Sequence, residues 1–110
     1  MPLWFKLIAL CSFAIGVPLA QADPALAKAK HCMSCHAVEK KIVGPSFLAV
    51  ADKYRKDPSA ANRLAVKVIK GGSGVWGVNY MPENKQVSPE EAQKLVAWVL
   101  SLKWSMVASP

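Results

Sequence analysis

The sequence predicts a small all-α domain, and three observations carry that expectation. Apolar residues recur at helical spacing in several separate segments. Gly-Pro, Asp-Pro and Gly-Gly pairs punctuate the chain between them. No stretch alternates β-branched and polar residues as a half-buried strand would. The 110 residues suffice for one domain with a modest core.

Residues 1–22 stand apart from that domain. They carry one cation, Lys6, then an apolar run from Leu7 to Val17, and they end in Ala20-Gln21-Ala22. This is the pattern of a cleaved secretory signal peptide, and the run is too short to span a bilayer comfortably. A retained amino-terminal anchor is the alternative, weakened by the same shortness. Cys11 follows Leu10, where a lipoprotein signal would place a small residue, so Cys11 is assigned to the signal. The mature domain is expected to occupy 23–110, with no stable membrane insertion after cleavage.

Within it, Asp23-Pro24 reads as the cap and first-turn proline of a helix whose buried face would be Ala25, Leu26 and Ala29. Gly44-Pro45 breaks the chain. A short helix follows, with Phe47, Leu48, Val50, Ala51 and Tyr54 near its apolar side, and Asp57-Pro58 ends it. From Ser59 onward Ala61, Leu64, Ala65, Val68 and Ile69 keep helical spacing until Gly71-Gly72. The glycine-rich run through Trp76-Gly77 is expected to be loop. Ser88-Pro89-Glu90-Glu91 combines a cap, a first-turn proline and a capping-box glutamate. Ala92, Leu95, Val96, Val99 and Leu102 then mark the buried stripe of the last helix. The closing Trp-Ser-Met-Val-Ala-Ser-Pro is expected to be a loose tail.

The chemistry concentrates in His31-Cys32-Met33-Ser34-Cys35-His36. A disulfide between Cys32 and Cys35 would close almost no loop and constrain the unfolded chain little. A redox dithiol of the thioredoxin kind needs a preceding strand in a βαβ unit, which the chain lacks. Structural zinc usually draws its ligands from two separated segments, whereas here every candidate lies in one short run. Cys-x-x-Cys-His is instead the attachment motif of c-type haem. Cys32 and Cys35 would tether the ring through thioethers, and His36 would bind its iron. One covalent haem c would also supply the large apolar body that a small core lacks. Attachment of this kind follows export, in agreement with the signal peptide. His31 reads as a rim residue.

An electron-transfer haem has both axial positions of its iron filled. Residues 23–110 hold no further histidine, and methionine is the other common ligand. Met33 sits between the tethers and Met106 in the tail. Met81 follows the glycine-rich run and is restrained by Pro82, so it is the expected second ligand. Core filling is its alternative role.

These features together resemble a family. Cys-Met-Ser-Cys-His, Gly44-Pro45, Gly-Gly-Ser-Gly-Val-Trp-Gly, Met81-Pro82 and the final Ser-Pro-Glu-Glu helix are similar to the small bacterial class I cytochromes c of the c-551 type, from about Asp23 to Lys103. The resemblance implies an all-α class I cytochrome c fold, about four helices wrapped around one covalently attached low-spin haem with His/Met ligation. It also implies a soluble periplasmic electron carrier, not an enzyme, serving a respiratory chain such as denitrification. It carries over four supporting residues. Pro45 would offer its carbonyl to His36, and Trp76 would reach a haem propionate with its indole N–H. Lys67 would stand near a propionate where relatives often place an arginine, without the bidentate fork. Asn84 would help to hold the methionine segment. Val78-Asn79-Tyr80 lacks prolines that many relatives carry before the methionine, and Glu83 replaces one after it.

The chain's formal charge is +7, of which Lys6 belongs to the signal, leaving +6 for the mature domain. Lys28, Lys30, Lys40 and Lys41 flank the haem motif, and Lys67, Lys70 and Lys85 lie near the other expected contacts. A positive rim of this kind would steer the carrier towards redox proteins that are acidic at the docking face. The plainer alternative is a solvated surface. No nucleic acid is expected as a partner, and the domain is expected to be a monomer. Two rivals are compatible with the same motif. A haem sensor or peroxidase-like domain would want a distal acid–base residue, and only His31 is spare. A cytochrome subunit of a larger enzyme complex needs no change in the sequence at all.

Overall fold

Helices form where a cap and an apolar period coincide, and the last long helix shows it best. The computed structural model describes residues 24–107; the signal peptide expected at 1–22 and the cap expected at Asp23 lie outside them. Ser88 Oγ accepts the Glu91 N–H at 3.1 Å, and Glu91 Oε1 accepts the Ser88 N–H at 3.0 Å. This reciprocal capping box, with Pro89 at the first position, starts a helix over Pro89–Ser101. The Ser88 N–H, assisted by Lys30, holds the Glu91 carboxyl below the usual range.

The other helices precede and follow it: α1 over Pro24–Ala29, α2 over Phe47–Tyr54, α3 over Ala60–Lys70, then α4 as just described and α5 over Trp104–Val107. Ser46 caps α2 by accepting the Ala49 N–H at 3.1 Å. Asp57 organises the entry to α3. Its Oδ1 accepts the Ser59 N–H and hydroxyl at 3.0 and 2.7 Å, and its Oδ2 takes Arg63 at 2.9 Å. Those bonds, Ser59's first and then Arg63's, pull the Asp57 carboxyl down to about 2.

α4 is the central element. Its Ala92, Leu95 and Val96 bury against Ala27 of α1, Ala65 of α3 and Val87. One turn further, Val99 joins Leu102 against Phe47, Leu48 and Ala51 of α2. A single helix stripe thus serves two clusters, and three helices are fixed around it.

Four local expectations need correction. In α1 the buried residue is Ala27, while Ala25 and Ala29 are exposed. The helix is too short to present a full stripe, and it meets α4 over one turn only. In α3 Ala60 is buried and Ala61 exposed. The glycine-rich run is not loop but an antiparallel hairpin, β1 over Gly72–Gly74 and β2 over Gly77–Met81, with Gly72 opposite Met81 and Gly74 opposite Gly77. No alternation announces it, because β2 is exposed from Gly77 to Tyr80 and packs neither face on the core. The expected loose tail instead forms α5 through residue 107. Trp104 Nε1 donates to Asp52 Oδ2 at 2.9 Å, and Arg55 donates to the Leu102 carbonyl, so its start is tied to α2.

Candidate functional site

The Cys-x-x-Cys spacing acquires its meaning from a short 3-10 turn over Cys32–Ser34. His31 enters it in the left-handed region at φ 65°. The Cys35 and His36 N–H groups both return to the Cys32 carbonyl, at 3.2 and 3.0 Å. Positions i and i+3 eclipse in such a turn, so Cys32 and Cys35 come to one side. Both are half-buried free thiols lining one cavity of about 350 Å³. Burial pushes the Cys32 thiol up, the reverse of the depressed pKa that an activated redox thiolate shows.

His36 follows directly and is held on three sides. Its Nδ1–H donates to the Pro45 carbonyl at 2.7 Å, and because a carbonyl can only accept, Nδ1 carries the proton. In the neutral ring this leaves Nε2 with the lone pair, the tautomer that ligates a metal. The ring stacks on Phe47 with centroids 4.9 Å apart and 19° between planes. On another side Gly44 leaves no room: a Cβ there would lie 2.5–3.0 Å from three atoms of the imidazole. Phe47 in turn meets Trp98 edge-on at 5.4 Å.

Met81 reaches the same cavity from the end of β2. Gly71, at φ +72°, lies so close to the Met81–Glu83 backbone that any side chain would collide with it. Asn84 ties the far end of this segment to α3. Its N–H donates to the Ile69 carbonyl at 2.9 Å and its Nδ2 to the Val68 carbonyl at 2.7 Å. Asn84 therefore acts on the backbone around the methionine. The other two methionines among the described residues lie elsewhere: Met33 packs against both core clusters, and Met106 is exposed on α5.

Every residue singled out from the sequence lines this one cavity: Cys32, Cys35, His36, Pro45, Lys67, Trp76, Met81 and Asn84. His31 sits at its rim, exposed. Lys67 is half-buried beside Gly72. Trp76 lies under the Lys53 ammonium, which is 5.7 Å from its ring centroid. Four contributors escaped sequence reasoning: Gly44, Gly71, Phe47 as a stacking partner, and Trp98. Trp98 stands three residues after Leu95, at the flank of the apolar stripe of α4, and that spacing was the available signal. The close approaches at Gly44 and Gly71 leave no trace in composition or period.

The donor set decides which cofactor fits. Two thiols on one side, an imidazole with a free Nε2 and a thioether line a cavity walled by Val68, Leu95, Val96 and Val99. Soft sulfur and imidazole donors in an apolar cleft suit an iron carried in a flat apolar ring. Among the described residues no three His, Cys, Asp or Glu side chains group as a site for a bare ion. The fit to covalent haem is good.

Comparison with known proteins agrees. The family model described as cytochrome c matches residues 24–103. Cytochrome c-552 of Nitrosomonas europaea is 49% identical over 84 residues, covering 76% of this chain and 82% of that protein. Cytochrome c-551 of Pseudomonas aeruginosa is 44% identical over 99 residues, covering 86% and 94%. The crystal structure of wild-type Nitrosomonas europaea cytochrome c552 superimposes with a TM-score of 0.72 at 47% identity, covering 74% of this chain and all of that one. With the match running through all the helices that build the cleft, the chain belongs to the cytochrome c family, whose cofactor is covalently attached haem c with its iron.

Proposed function

We propose that this electron-transfer haem c protein is a periplasmic carrier of single electrons in a respiratory chain, with its iron held between His36 Nε2 and Met81 Sδ. The observation that carries the reading is that His36 and Met81, from opposite halves of the sequence, line the same cleft as both cysteines. When bound, haem c supplies a reversible one-electron couple at fixed coordination.

The residues of the chain do the rest. Cys32 and Cys35 would hold the ring through thioether links, for which their free thiols line the cleft. Pro45 keeps the His36 ring oriented and its Nε2 free. The neutral thioether of Met81, as a ligand, would favour reduced iron and raise the potential. Trp76 and Lys67 line the cleft, and their N–H groups would serve the haem propionates, Lys67 with opposite charge. The apolar walls exclude water and lower the local dielectric. The proposed role is carriage and not turnover: the spare histidine, His31, sits at the rim beside the tethers.

Of the lysines that flank the expected contacts, Lys28, Lys40, Lys41, Lys70 and Lys85 are exposed, and acidic redox proteins are the proposed partners. Lys30 is less available, because it pairs with Glu91 at 3.0 Å and donates to the Gln86 carbonyl at 3.0 Å.

The test is the optical spectrum of the exported, mature protein. Oxidised wild type should show the weak far-red charge-transfer band of a methionine–iron bond, and Met81→Ala should lose it, lower the potential and bind cyanide readily. A Met81→Ala protein that keeps both band and potential would refute His/Met ligation.

A further inference from the structure

The segment that carries Met81 has little to rest on. Every residue from Ser73 to Tyr80 is exposed, and β2 pairs with a strand that is only Gly-Ser-Gly. Beyond Met81 the chain is anchored on α3 through Asn84. Before Met81 a tie runs to the opposite wall of the cleft: Asn79 Nδ2 donates to the Val43 carbonyl at 2.9 Å, across 36 residues of sequence. Strand geometry places residues 79 and 81 on the same face, so the amide points the way the methionine does. Val78, on the other face, is 98% exposed and contributes no burial.

The position of the acceptor matters as much as the bond. Val43 precedes Gly44, which packs against the His36 ring, and Pro45, whose carbonyl receives His36 Nδ1–H. Val43 and Asn79 both line the cleft. One hydrogen bond therefore joins the segment bearing Met81 to the segment that orients His36. In a region with many contacts the loss of one neutral bond would be absorbed. In a hairpin with exposed faces, that bond is a large share of the free energy of local opening.

We infer that Asn79 is a positioning residue, whose side-chain amide braces the methionine segment against the histidine loop and sets how readily Met81 leaves the iron. The inference rests on the reading of Met81 as a ligand.

The experiment uses oxidised holoprotein and the rate of cyanide binding, which reports opening of the methionine side. Wild type, Asn79→Leu, Met81→Ala and Arg55→Met are compared. Asn79→Leu keeps the size and removes the donor. It should bind cyanide about two- to tenfold faster than wild type, the range expected for losing one exposed neutral hydrogen bond from a local opening equilibrium. Its far-red band should remain at low temperature and fade on warming sooner than in wild type. Arg55→Met removes the ties to Leu102 and Asp52, away from the cleft, and should lower the global unfolding midpoint with the cyanide rate unchanged. A wild-type rate and band in Asn79→Leu overturns the inference alone. So does an equal acceleration in Arg55→Met, since the effect would then be global. A wild type lacking the band, with Met81→Ala binding cyanide no faster, overturns the ligand reading and this inference with it.

Discussion

The two walls of the cleft are held in different ways. The histidine wall, residues 31–48, is knit by short-range bonds: Ser34, Cys35 and His36 return to the carbonyls just before them, and Gly44 donates to the Cys35 carbonyl at 2.7 Å. Phe47 and Leu48 donate to Ala37 and Val38 at 2.9 and 3.1 Å and are themselves buried in the core. The methionine wall, residues 71–84, has exposed faces and a few separate anchors: the Gly71 approach, the Asn84 bonds and the Asn79 brace. Support is redundant on one side and concentrated on the other. A redundant wall tolerates the loss of one contact, whereas a wall on few anchors fails at each of them. Under the proposed His/Met ligation, His36 is therefore expected to stay on the iron and Met81 to exchange more readily.

Gly71→Ala attacks the concentrated side and should have the largest effect. A Cβ at φ +72° would collide with the Met81 carbonyl and come within 2.8 Å of Pro82 C and 2.9 Å of Glu83 N. Left-handed strain and backbone displacement together should cost ~3 kcal/mol by denaturant titration, and the far-red band should disappear. Gly77 supplies the control, because its φ is +103° but nothing lies within 4 Å of a Cβ there. Gly77→Ala should cost about 1 kcal/mol and keep the band. Equal effects at 71 and 77 would mean that the hairpin root is not an anchor.

Gly44→Ala strikes the redundant side and comes second. The imidazole has Phe47 on one face and Pro45 on its Nδ1, so it has little freedom to retreat from a Cβ. Overpacking should cost about 1–3 kcal/mol and reduce the yield of haem-loaded protein, measured by absorbance per mass of chain. The protein that does mature should keep the far-red band, since its methionine wall is untouched. Loss of the band would show the two walls to be one cooperative unit.

The smallest effect lies away from both walls, at Asp57. Its carboxyl is lowered from 3.8 to about 2 by Ser59 and Arg63. Between those values the unfolded chain binds the proton more readily than the folded one. The contribution is therefore present above about pH 4 and is lost as the pH falls through the folded value. Asp57→Asn should flatten that part of the acid limb in unfolding midpoints measured from about pH 5 downwards, with the haem spectrum unchanged. A spectral change would show that the entry to α3 communicates with the cleft.

Much of this protein follows from sequence alone. The capping box at Ser88 and Glu91, the stripe of α4, and the breaks at Gly44-Pro45 and Asp57-Pro58 are local signals, and local hydrogen bonding makes them. The Cys-x-x-Cys-His spacing is likewise local, since a single turn brings both sulfurs to one side. Other features needed the tertiary structure. The hairpin was illegible because β2 packs neither face on the core and lines the cleft with residues that are mostly exposed, so no apolar alternation marks it. The tail forms α5 because Trp104 finds Asp52, a partner 52 residues away. Gly44 and Gly71 read as ordinary breakers until the imidazole and the Met81 carbonyl are found pressed against them. Asn79 reads as a loop residue until Val43 arrives at 2.9 Å. Composition and spacing encode bonds between neighbours in the chain. Which distant backbone closes on which side chain is decided only when α4 draws the two walls together around one cleft.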